Sequence, residues 1–557
     1  MIAVTLDAVS VAYAQVPVFT DLSWEAHDDR IVGLIGPNGC GKSTLLQTIT
    51  GHVVPSGGTV STRTGLTVGY LPQAVDVPEG VSVYEAVRRG AKALNEAERE
   101  IAGLEAQLAD PSVYGDEASL ARVMHEHERW LETYGRLGGP GLDTRIRSIL
   151  HALGFRDSAV DRPVSILSGG QKKLVGLAAL AIDRPDLLLL DEPDNHLDLV
   201  GKAFLEQFLR SYEGGVVLVS HDRYLLDLVV DEVVELEGGA LTRFPGNYSE
   251  YAVEKDHQRA LAERRYADQQ KEIHRLEQSA KRLMTWGAVF ENEKFIRRGR
   301  AILKRLERMD RIDRPYRQRE MSLSLDGWRG STKVLEIRNV TKTYPSVGEV
   351  ADTVVLSGVD LLVRHGDRVG LVGANGSGKS VLLRLIRAQE APTSGELTLG
   401  PSVAPGTYDQ EHETLDLDRS LIDNLRYHAG VSETQAMQVL LRFAFSYDQA
   451  RRPAGDLSGG ERSRLQLAKI VLSGANFLLL DEPTNNLDIR SCEILEDALE
   501  ELEGSVLVIS HDRYFLDRCV DRIVELEQGR LTEYAGGYSE YAARSGRTGP
   551  LEKGASS

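Results

Sequence analysis

The chain repeats one ordered set of short motifs. A glycine-rich stretch at 36–43 recurs at 373–380, and three further motif pairs follow in the same order, beginning at Leu167 and Leu457, Leu187 and Leu478, and Ser220 and Ser510. The spacing within the copies agrees to the residue, since Glu192 to His221 and Glu482 to His511 both measure 29 residues. Chance does not produce such agreement, so the sequence predicts two copies of one domain.

One interval differs between the copies. It measures 95 residues from Gln73 to Ser168 but 48 from Gln410 to Ser458, which places an insertion of 47 residues within 83–149 of the first copy. The inserted segment is rich in Ala, Leu, Glu and Arg, with Pro and Gly near its middle, and this pattern predicts a helical hairpin. Its slightly negative charge favours a protein surface over RNA as its contact.

The segment between the copies, residues 247–333, combines apolar residues at helical spacing with positive charge. The spacing predicts two long antiparallel helices joined near 286–294. Residues 294–319 hold eleven Lys and Arg against three acidic residues, although the whole chain has a net charge of −18. A basic helix is usually only a solvated face, but this contrast, with aromatic residues at the turn, favours contact with nucleic acid. The predicted RNA contacts are Trp286, Lys294, Arg297, Arg298, Arg300, Lys304 and Arg305.

Composition excludes several classes of protein. Apolar residues make up 42% and charged residues 27%, as in ordinary globular domains. No apolar run reaches the length of a membrane span, and the residues after Met1 lack the basic start and apolar core of a signal peptide. The three cysteines have no metal-ligand spacing. We expect a soluble, cytoplasmic protein with no stable membrane domain, no disulfide scaffold and no zinc site.

The repeated pattern Gly-x-x-x-x-Gly-Lys-Ser predicts a phosphate cradle between a strand and a helix. Backbone N–H groups converge on the phosphates, the lysine reaches the outer phosphates and the serine can bind magnesium. One match can be a chance loop, but two in register make that reading negligible. The predicted ATP-binding residues here are Gly36, Asn38, Gly39, Gly41, Lys42, Ser43 and Thr44 in the first copy and Gly373, Asn375, Gly376, Gly378, Lys379 and Ser380 in the second; Ser43 and Ser380 are also predicted metal ligands.

Carboxylate pairs end two short apolar runs. Buried parallel strands present such groups at their carboxyl ends. Asp191 and Asp481 are predicted to bind magnesium, and Glu192 and Glu482 are predicted to polarise the attacking water. The alternative is a structural role, in which these carboxylates only cap the strand ends.

Two histidines and two glutamines complete each predicted catalytic centre. His221 and His511 follow apolar strands at matched distances and are predicted to contact a γ-phosphate oxygen. Gln73 and Gln410 are predicted to bind ATP and magnesium or the attacking water, although alone they are weak evidence.

The Leu-Ser-Gly-Gly motif supplies a second phosphate-binding surface at a helix start. One domain does not need two such surfaces for one nucleotide. We therefore predict a monomer whose two copies face each other head to tail, with each ATP between the cradle of one copy and the Ser-Gly-Gly of the other. The residues are Ser168, Gly169 and Gly170, and Ser458, Gly459 and Gly460.

Together these motifs resemble the ATP-binding cassette superfamily, and twin cassettes with an inserted arm and a charged linker resemble the ABC-F proteins. The resemblance implies an α/β fold with P-loop ATPase domains at 1–246 and 334–544, a two-helix linker at 247–333 and a polar tail at 545–557. It implies hydrolysis of ATP with Mg²⁺.

The resemblance also implies ATP-gated binding in the ribosomal exit site, with the linker reaching the peptidyl-transfer centre and the tRNA in the peptidyl site, so that rRNA and tRNA are the expected partners. The arm would contact a ribosomal protein. By motif position, Tyr13 and Tyr344 would stack on adenine. Without the resemblance, such isolated tyrosines would be assigned to the hydrophobic core.

Three residues depart from the family pattern: Asp194 replaces the usual Thr, Asn486 replaces the usual His, and Gln171 stands where the second copy has Glu461. They leave open whether the two sites turn over at equal rates. The sequence also leaves open a translation factor, an antibiotic-resistance factor that protects ribosomes, a subunit that energises a membrane transporter, and a DNA-associated ATPase.

Overall fold

The computed structural model describes residues 1–14, 16–74, 80–290, 293–309, 332–345, 353–408, 415–443, 445–457, 459–485, 487–500, 502 and 504–546. The predicted site residues Gln410 and Ser458, and Asn486, lie outside these residues. The chain separates into two units, Met1–Asn247 with Glu320–Ser557, and Tyr248–Arg319.

The first copy holds nine strands and ten α-helices among its described residues. In chain order they are β1 (Ile2–Tyr13), β2 (Val16–His27), β3 (Ile31–Ile35), α1 (Lys42–Ile49), β4 (Gly57–Thr62), β5 (Val68–Leu71), α2 (Val83–Gly90), α3 (Lys92–Leu108), α4 (Pro111–Tyr114), α5 (Glu117–Arg136), α6 (Leu142–Ala152), α7 (Asp157–Val160), α8 (Gly169–Asp183), β6 (Leu187–Asp191), α9 (Leu199–Arg210), β7 (Gly215–Val219), α10 (Arg223–Val229), β8 (Glu232–Glu237) and β9 (Ala240–Pro245).

The linker unit consists of two helices, α11 (Tyr248–Val289) and α12 (Glu293–Glu307). They pack against each other, and because only three residues join them they run antiparallel. Ala280 and Leu306 are buried in the pair, 1% and 7% exposed. Gly299 is also buried, and a Cβ atom added to it would lie 2.6 Å from Met284 Cγ. A glycine here therefore allows the two helices to approach closely.

The second copy repeats the order of the first without the long insertion. Its elements are β10 (Lys333–Tyr344), β11 (Thr353–Arg364), β12 (Arg368–Val372), α13 (Lys379–Ile386), β13 (Ser394–Leu399), β14 (Pro405–Tyr408), α14 (Leu421–Ala429), α15 (Glu433–Arg442), α16 (Tyr447–Ala450), α17 (Gly459–Leu472), β15 (Phe477–Asp481), α18 (Ile489–Glu500), β16 (Ser505–Ile509), α19 (Arg513–Cys519), β17 (Arg522–Glu527), β18 (Arg530–Ala535) and α20 (Tyr538–Ser545).

Both copies build the same two sheets. The six-stranded sheets have the orders β5-β6-β7-β3-β8-β9 and β14-β15-β16-β12-β17-β18, and the antiparallel sheets have the orders β2-β1-β4 and β11-β10-β13. The central strands are parallel. All residues of β3, β6 and β7 are buried, which explains their uninterrupted apolar runs. The predicted tandem α/β fold is confirmed.

The inserted helices lie between two elements that both copies share. Helices α2 and α14 each begin after a serine N-cap, Ser82 and Ser420, which forms an isolated β-bridge with Pro163 or Pro453. Helix α6 corresponds in position to α15. The helices without a counterpart are α3, α4 and α5, and α3 packs along α5.

Among the described residues, no helix has the length and apolar content needed to cross a bilayer.

We expect Gly299→Val to loosen the linker pair, because an added Cβ also lies 3.2 Å from the carbonyl oxygen of Ala280. Overpacking of this kind costs about 1–3 kcal/mol. Amide hydrogen exchange should become faster in α11 and α12 and stay unchanged in the cassettes. The matched control is Gly103→Ala in α3, where an added Cβ has no atom within 4 Å. Unchanged exchange in Gly299→Val would contradict the described packing.

Candidate nucleotide sites

Each glycine-rich loop connects a buried strand to a helix, and its last glycine is conformationally required. Gly41 and Gly378 have φ angles of 106° and 107°. A Cβ atom at these positions would lie 2.5 Å from Val18 Cγ1 and 2.7 Å from Val355 Cγ1. Other residues would therefore be strained and would clash, and the loops keep the tight curl that turns backbone N–H groups inward.

The lysine that follows each curl is buried inside it. Lys42 Nζ donates to the carbonyl oxygens of Gly36 at 2.8 Å and Pro37 at 3.1 Å. Lys379 Nζ makes the corresponding bonds to Gly373 at 2.7 Å and to Ala374 at 3.1 Å. Each ammonium group is thus held by carbonyl oxygens of its own loop.

A carboxylate pair ends each central strand, and its second residue has an unusual backbone. Glu192 and Glu482 have φ angles of 49° and 47°, a left-handed conformation that costs on the order of 1–3 kcal/mol in a residue other than glycine. Their N–H groups donate to the carbonyl oxygens of Val219 and Ile509, each at 2.9 Å. The neighbouring strand thereby holds both glutamates in the strained turn.

Each glutamate faces the predicted histidine of its own copy. His221 Nε2 lies 3.7 Å from Glu192 Oε1, and His511 Nε2 lies 3.4 Å from Glu482 Oε1. The backbone N–H of His511 also donates to Glu482 Oε2 at 3.3 Å. Burial, with the charges of Lys379 and Lys202, holds the pKa of His511 well below its usual value.

Three side chains hold Glu192 in the first copy. Gln73 Nε2 donates to Glu192 Oε2 at 2.7 Å, and Asn195 Nδ2 donates to the same oxygen at 2.6 Å. Lys173 Nζ donates to the carbonyl oxygen of Glu192 at 2.7 Å. The sequence analysis missed Lys173 and Asn195. The sequence signal for Lys173 was the difference between the copies, since the second copy has Ser463 at this position. In the structure Lys173 is buried in α8.

The two glutamates differ in their electrostatic surroundings. Burial raises the pKa of Glu192, but the adjacent His221 imidazole, with the charges of Lys42 and Lys173, outweighs this effect, so that the pKa is lowered. Burial raises the pKa of Glu482 to about 8, although Lys379 opposes the rise. The two duplicated glutamates therefore have different electrostatic surroundings.

One cavity of about 940 Å³ joins the Ser-Gly-Gly of the first copy to the phosphate loop of the second. Ser168 caps α8 through the reciprocal bonds of a capping box with Gln171, at 3.1 and 3.3 Å. Gln171 therefore supplies the reciprocal bond of a capping box, a role that Gln and Glu can both fill. The predicted residues that line this cavity are Ser168, Gly169, Gly170, Asn375, Gly376, Gly378, Lys379, Ser380, Asp481, Glu482, His221 and His511.

Two aspartates that the sequence analysis missed connect the copies directly. Asp198 Oδ2 accepts the backbone N–H of Asn375 at 3.0 Å, and Asp488 Oδ2 accepts that of Asn38 at 3.2 Å. Their second oxygens cap α9 and α18 at Gly201 and Ser491. The available signal was the Leu-Asp that follows both carboxylate motifs at the same distance.

Buried ion pairs also cross between the copies at duplicated positions. Arg223 pairs with Glu496, and Arg513 pairs with Glu206. Removing one partner of a buried pair leaves an uncompensated charge and is strongly destabilising. These pairs therefore fix the register in which the two copies face each other.

The predicted adenine-stacking tyrosines lie at the ends of strands β1 and β10. Tyr13 is 52% exposed. The hydroxyl of Tyr344 donates to Glu390 at 2.5 Å, and Lys342 Nζ lies 5.1 Å from its ring centroid. Neither is among the described residues that line the 940 Å³ cavity.

The predicted RNA-contact residues occupy one end of the linker pair. Trp286 is 47% exposed, and the Arg282 guanidinium lies 5.5 Å from its ring centroid. The cationic residues of α12 are all exposed, opposite the face buried by Gly299 and Leu306; they are Lys294, Arg297, Arg298, Arg300, Lys304 and Arg305.

A family model described as "ABC transporter" matches residues 19–195 and 356–485, and a second with the same description matches residues 234–325. The energy-dependent translational throttle protein EttA of Haemophilus influenzae is 34% identical over 94% of this chain and 92% of its own length. ABC transporter F family member 5 of Arabidopsis thaliana is 33% identical over 99% of this chain and 79% of its own. A solved structure of RNase-L Inhibitor is similar in fold, with a TM-score of 0.62 at 20% identity, covering 97% of this chain and 93% of that one.

We expect Asp198→Ser with Asp488→Ser to lower ATP turnover severalfold with little change in thermal stability. Serine keeps the N-cap but has one oxygen, so the bond to the opposite phosphate loop is lost. Asp116→Ser, at the N-cap of the arm helix α5, is the matched control and should leave turnover unchanged. Wild-type turnover in the double variant would show that these bonds are not needed.

Proposed function

The chain is an ATP hydrolase of the ABC-F family, and from that premise we propose that it is a ribosome-associated translation factor gated by two ATP molecules. The observation that most directly supports this proposal is the cavity shared by the Ser-Gly-Gly of one cassette and the phosphate loop of the other. A nucleotide in that position is held by both cassettes, so its binding favours their association.

The described residues fit a triphosphate with its magnesium ion. Among the described residues, six buried polar atoms beside the two phosphate loops have no hydrogen-bond partner: Asp191 Oδ1, Glu482 Oε1, and both ring nitrogens of His221 and His511. Buried polar groups are normally satisfied, and a polar ligand would satisfy these. Ser43 with Asp191, and Ser380 with Asp481, would hold Mg²⁺, which would neutralise charge on the phosphate oxygens.

In this proposal each cassette takes part in both nucleotide binding and hydrolysis. The loop N–H groups and Lys42 or Lys379 bind the outer phosphates, and the opposite Ser-Gly-Gly closes over them. Glu192 and Glu482 orient the attacking water, while His221 and His511 contact the γ-phosphate. Loss of the γ-phosphate removes the link between the cassettes, so hydrolysis releases the closed state.

The linker supplies the proposed contact with RNA. Its exposed cations lie in an otherwise acidic chain, and Trp286 provides an aromatic face for stacking. We place the closed protein in the ribosomal exit site, with the linker toward the peptidyl-transfer centre and the P-site tRNA, and the arm against a ribosomal protein. The relative EttA is named as an energy-dependent translational throttle, which supports a role in translation.

A second candidate function is protection of the ribosome from antibiotics. The observation that favours it is the apolar tip of α11, where Val289 and Phe290 are 68% and 69% exposed. Such a tip suits an apolar drug site beside the transfer centre. Raised inhibitory concentrations of ribosome-binding antibiotics on expression would support this function, and unchanged concentrations would exclude it.

We expect Glu192→Gln with Glu482→Gln to trap the ATP-bound form on ribosomes, since both cassettes still bind nucleotide but neither orients water. Cosedimentation should show more ribosome-bound protein in ATP than in ADP. Equal retention in the two nucleotides would contradict ATP gating. Lys42→Ala with Lys379→Ala is the control, and it should lose the ATP dependence together with nucleotide binding.

Replacing Arg297, Arg298 and Arg300 by Glu should weaken ribosome binding at least tenfold and leave ATP affinity unchanged. The physical reason is that three positive charges that would face phosphate groups become negative. The same charge change at the exposed cassette residues Arg210, Arg451 and Arg452 is the control. Equal loss in both triple variants would show a general charge effect and contradict a specific linker contact.

A further inference from the structure

A buried lysine crosses between the cassettes and contacts the histidine loops of both ATP sites. Lys202 lies in the first turn of α9, with its side chain 10% exposed. Its Nζ donates to Asp222 Oδ2 at 2.7 Å within the first cassette and to the carbonyl oxygen of His511 at 2.9 Å in the second. One ammonium group therefore connects two loops that the chain separates by almost 300 residues.

Each end of this connection holds a loop at a proposed catalytic centre. Asp222 directly follows His221, and its other oxygen caps α10 by accepting the N–H of Leu225 at 3.1 Å. At the opposite end, the N–H of His511 donates to Glu482 at 3.3 Å while its carbonyl accepts from Lys202. Both backbone polar groups of His511 are thus held, and this fixes where its imidazole can lie.

The duplication does not repeat this arrangement. Cys492 stands where the first cassette has Lys202, and its Sγ lies 4.0 Å from the carbonyl oxygen of Thr484 in its own cassette. A thiol on one methylene is far too short to extend across as a lysine does. The second cassette therefore has no lysine at the corresponding position to reach the carbonyl oxygen of His221.

The same asymmetry explains the Asp194 departure from the family pattern. Asp194 is buried, 6% exposed, and corresponds to Thr484 in the second cassette. The charge of Lys202 acts on Asp194 and on Asp222, so the acidic side chain accompanies the buried cation. The first cassette thus carries Asp with Lys where the second carries Thr with Cys.

We propose that Lys202 is a positioning residue for the second ATP site, which holds His511 against Glu482 and connects it to the histidine loop of the first site. This inference rests on the proposed roles of the two glutamates. It makes turnover at the second centre depend on a residue of the first cassette, whereas turnover at the first centre does not depend on Cys492 in the same way.

The test uses the full-length chain with one centre disabled at a time. Glu192→Gln leaves only the Glu482 centre, and Glu482→Gln leaves only the Glu192 centre. Into each background we would introduce Asp194→Thr with Lys202→Cys, the residue pair that the second cassette already carries at these positions. This pair removes the buried cation together with Asp194, one of the two carboxyl groups on which its charge acts. Asp222 keeps the nearby charge of Arg513 and the N–H of Leu225.

We expect the pair to lower kcat at least tenfold in the Glu192→Gln background, with KM for ATP within twofold, and to change kcat less than twofold in the Glu482→Gln background. In the Glu192→Gln background, Lys202→Arg alone keeps a cation that can donate to both acceptors. This variant should therefore retain most of the kcat. If Lys202 had only a structural role, the substitutions would lower kcat equally in both backgrounds and would shift the midpoint of thermal unfolding.

The experiment distinguishes a wrong role for Lys202 from a wrong role for the glutamates. Equal losses in both backgrounds, or no loss in either, would overturn the role of Lys202 while leaving the glutamate roles intact. If neither Glu→Gln substitution alone lowers turnover, the proposed catalytic assignment is wrong, and the role of Lys202 is overturned with it.

Discussion

The two cassettes share the candidate nucleotide site at the phosphate loop of the second cassette, and the contact between them depends on this sharing. A loop from one cassette curls around its own lysine, and the opposite cassette supplies both the aspartate that accepts a loop N–H and the Ser-Gly-Gly that faces it. Neither half is a complete site by itself. A nucleotide held there would stabilise the contact between the cassettes in proportion to how differently it binds the closed and open forms.

Buried ion pairs give this contact its register. Arg223 and Arg513 each reach a glutamate of the opposite cassette, at positions that the duplication relates. Such pairs contribute little net stability against apolar packing, but they strongly disfavour alternative registers in which a charge is buried alone. The ion pairs therefore contribute alignment more than stability, and in our proposal nucleotide binding supplies the favourable free energy of closure.

Local motifs were predictable because backbone geometry requires them. Gly41 must adopt a positive φ against Val18, and the buried strand that ends at Asp191 must be apolar throughout, so both are visible in a single sequence. The partners of Asp198 and Lys202 belong to the other cassette. The repeated Leu-Asp marks Asp198 but not its partner, and Lys202 is not repeated at all, since Cys492 stands at the corresponding position. The strained backbone at the glutamates was equally invisible, since it arises from hydrogen bonds to a neighbouring strand.

The central claim is that ATP brings the cassettes together, and an intramolecular distance tests it most directly. Spin labels would be placed at Val54 and Tyr427, which are 84% and 71% exposed in the first and second cassettes, in the Glu192→Gln, Glu482→Gln background with Cys40 replaced. Pulsed electron paramagnetic resonance should give one narrow distance distribution in saturating ATP and a different, broader one in ADP. Identical distributions in the two nucleotides would contradict the claim.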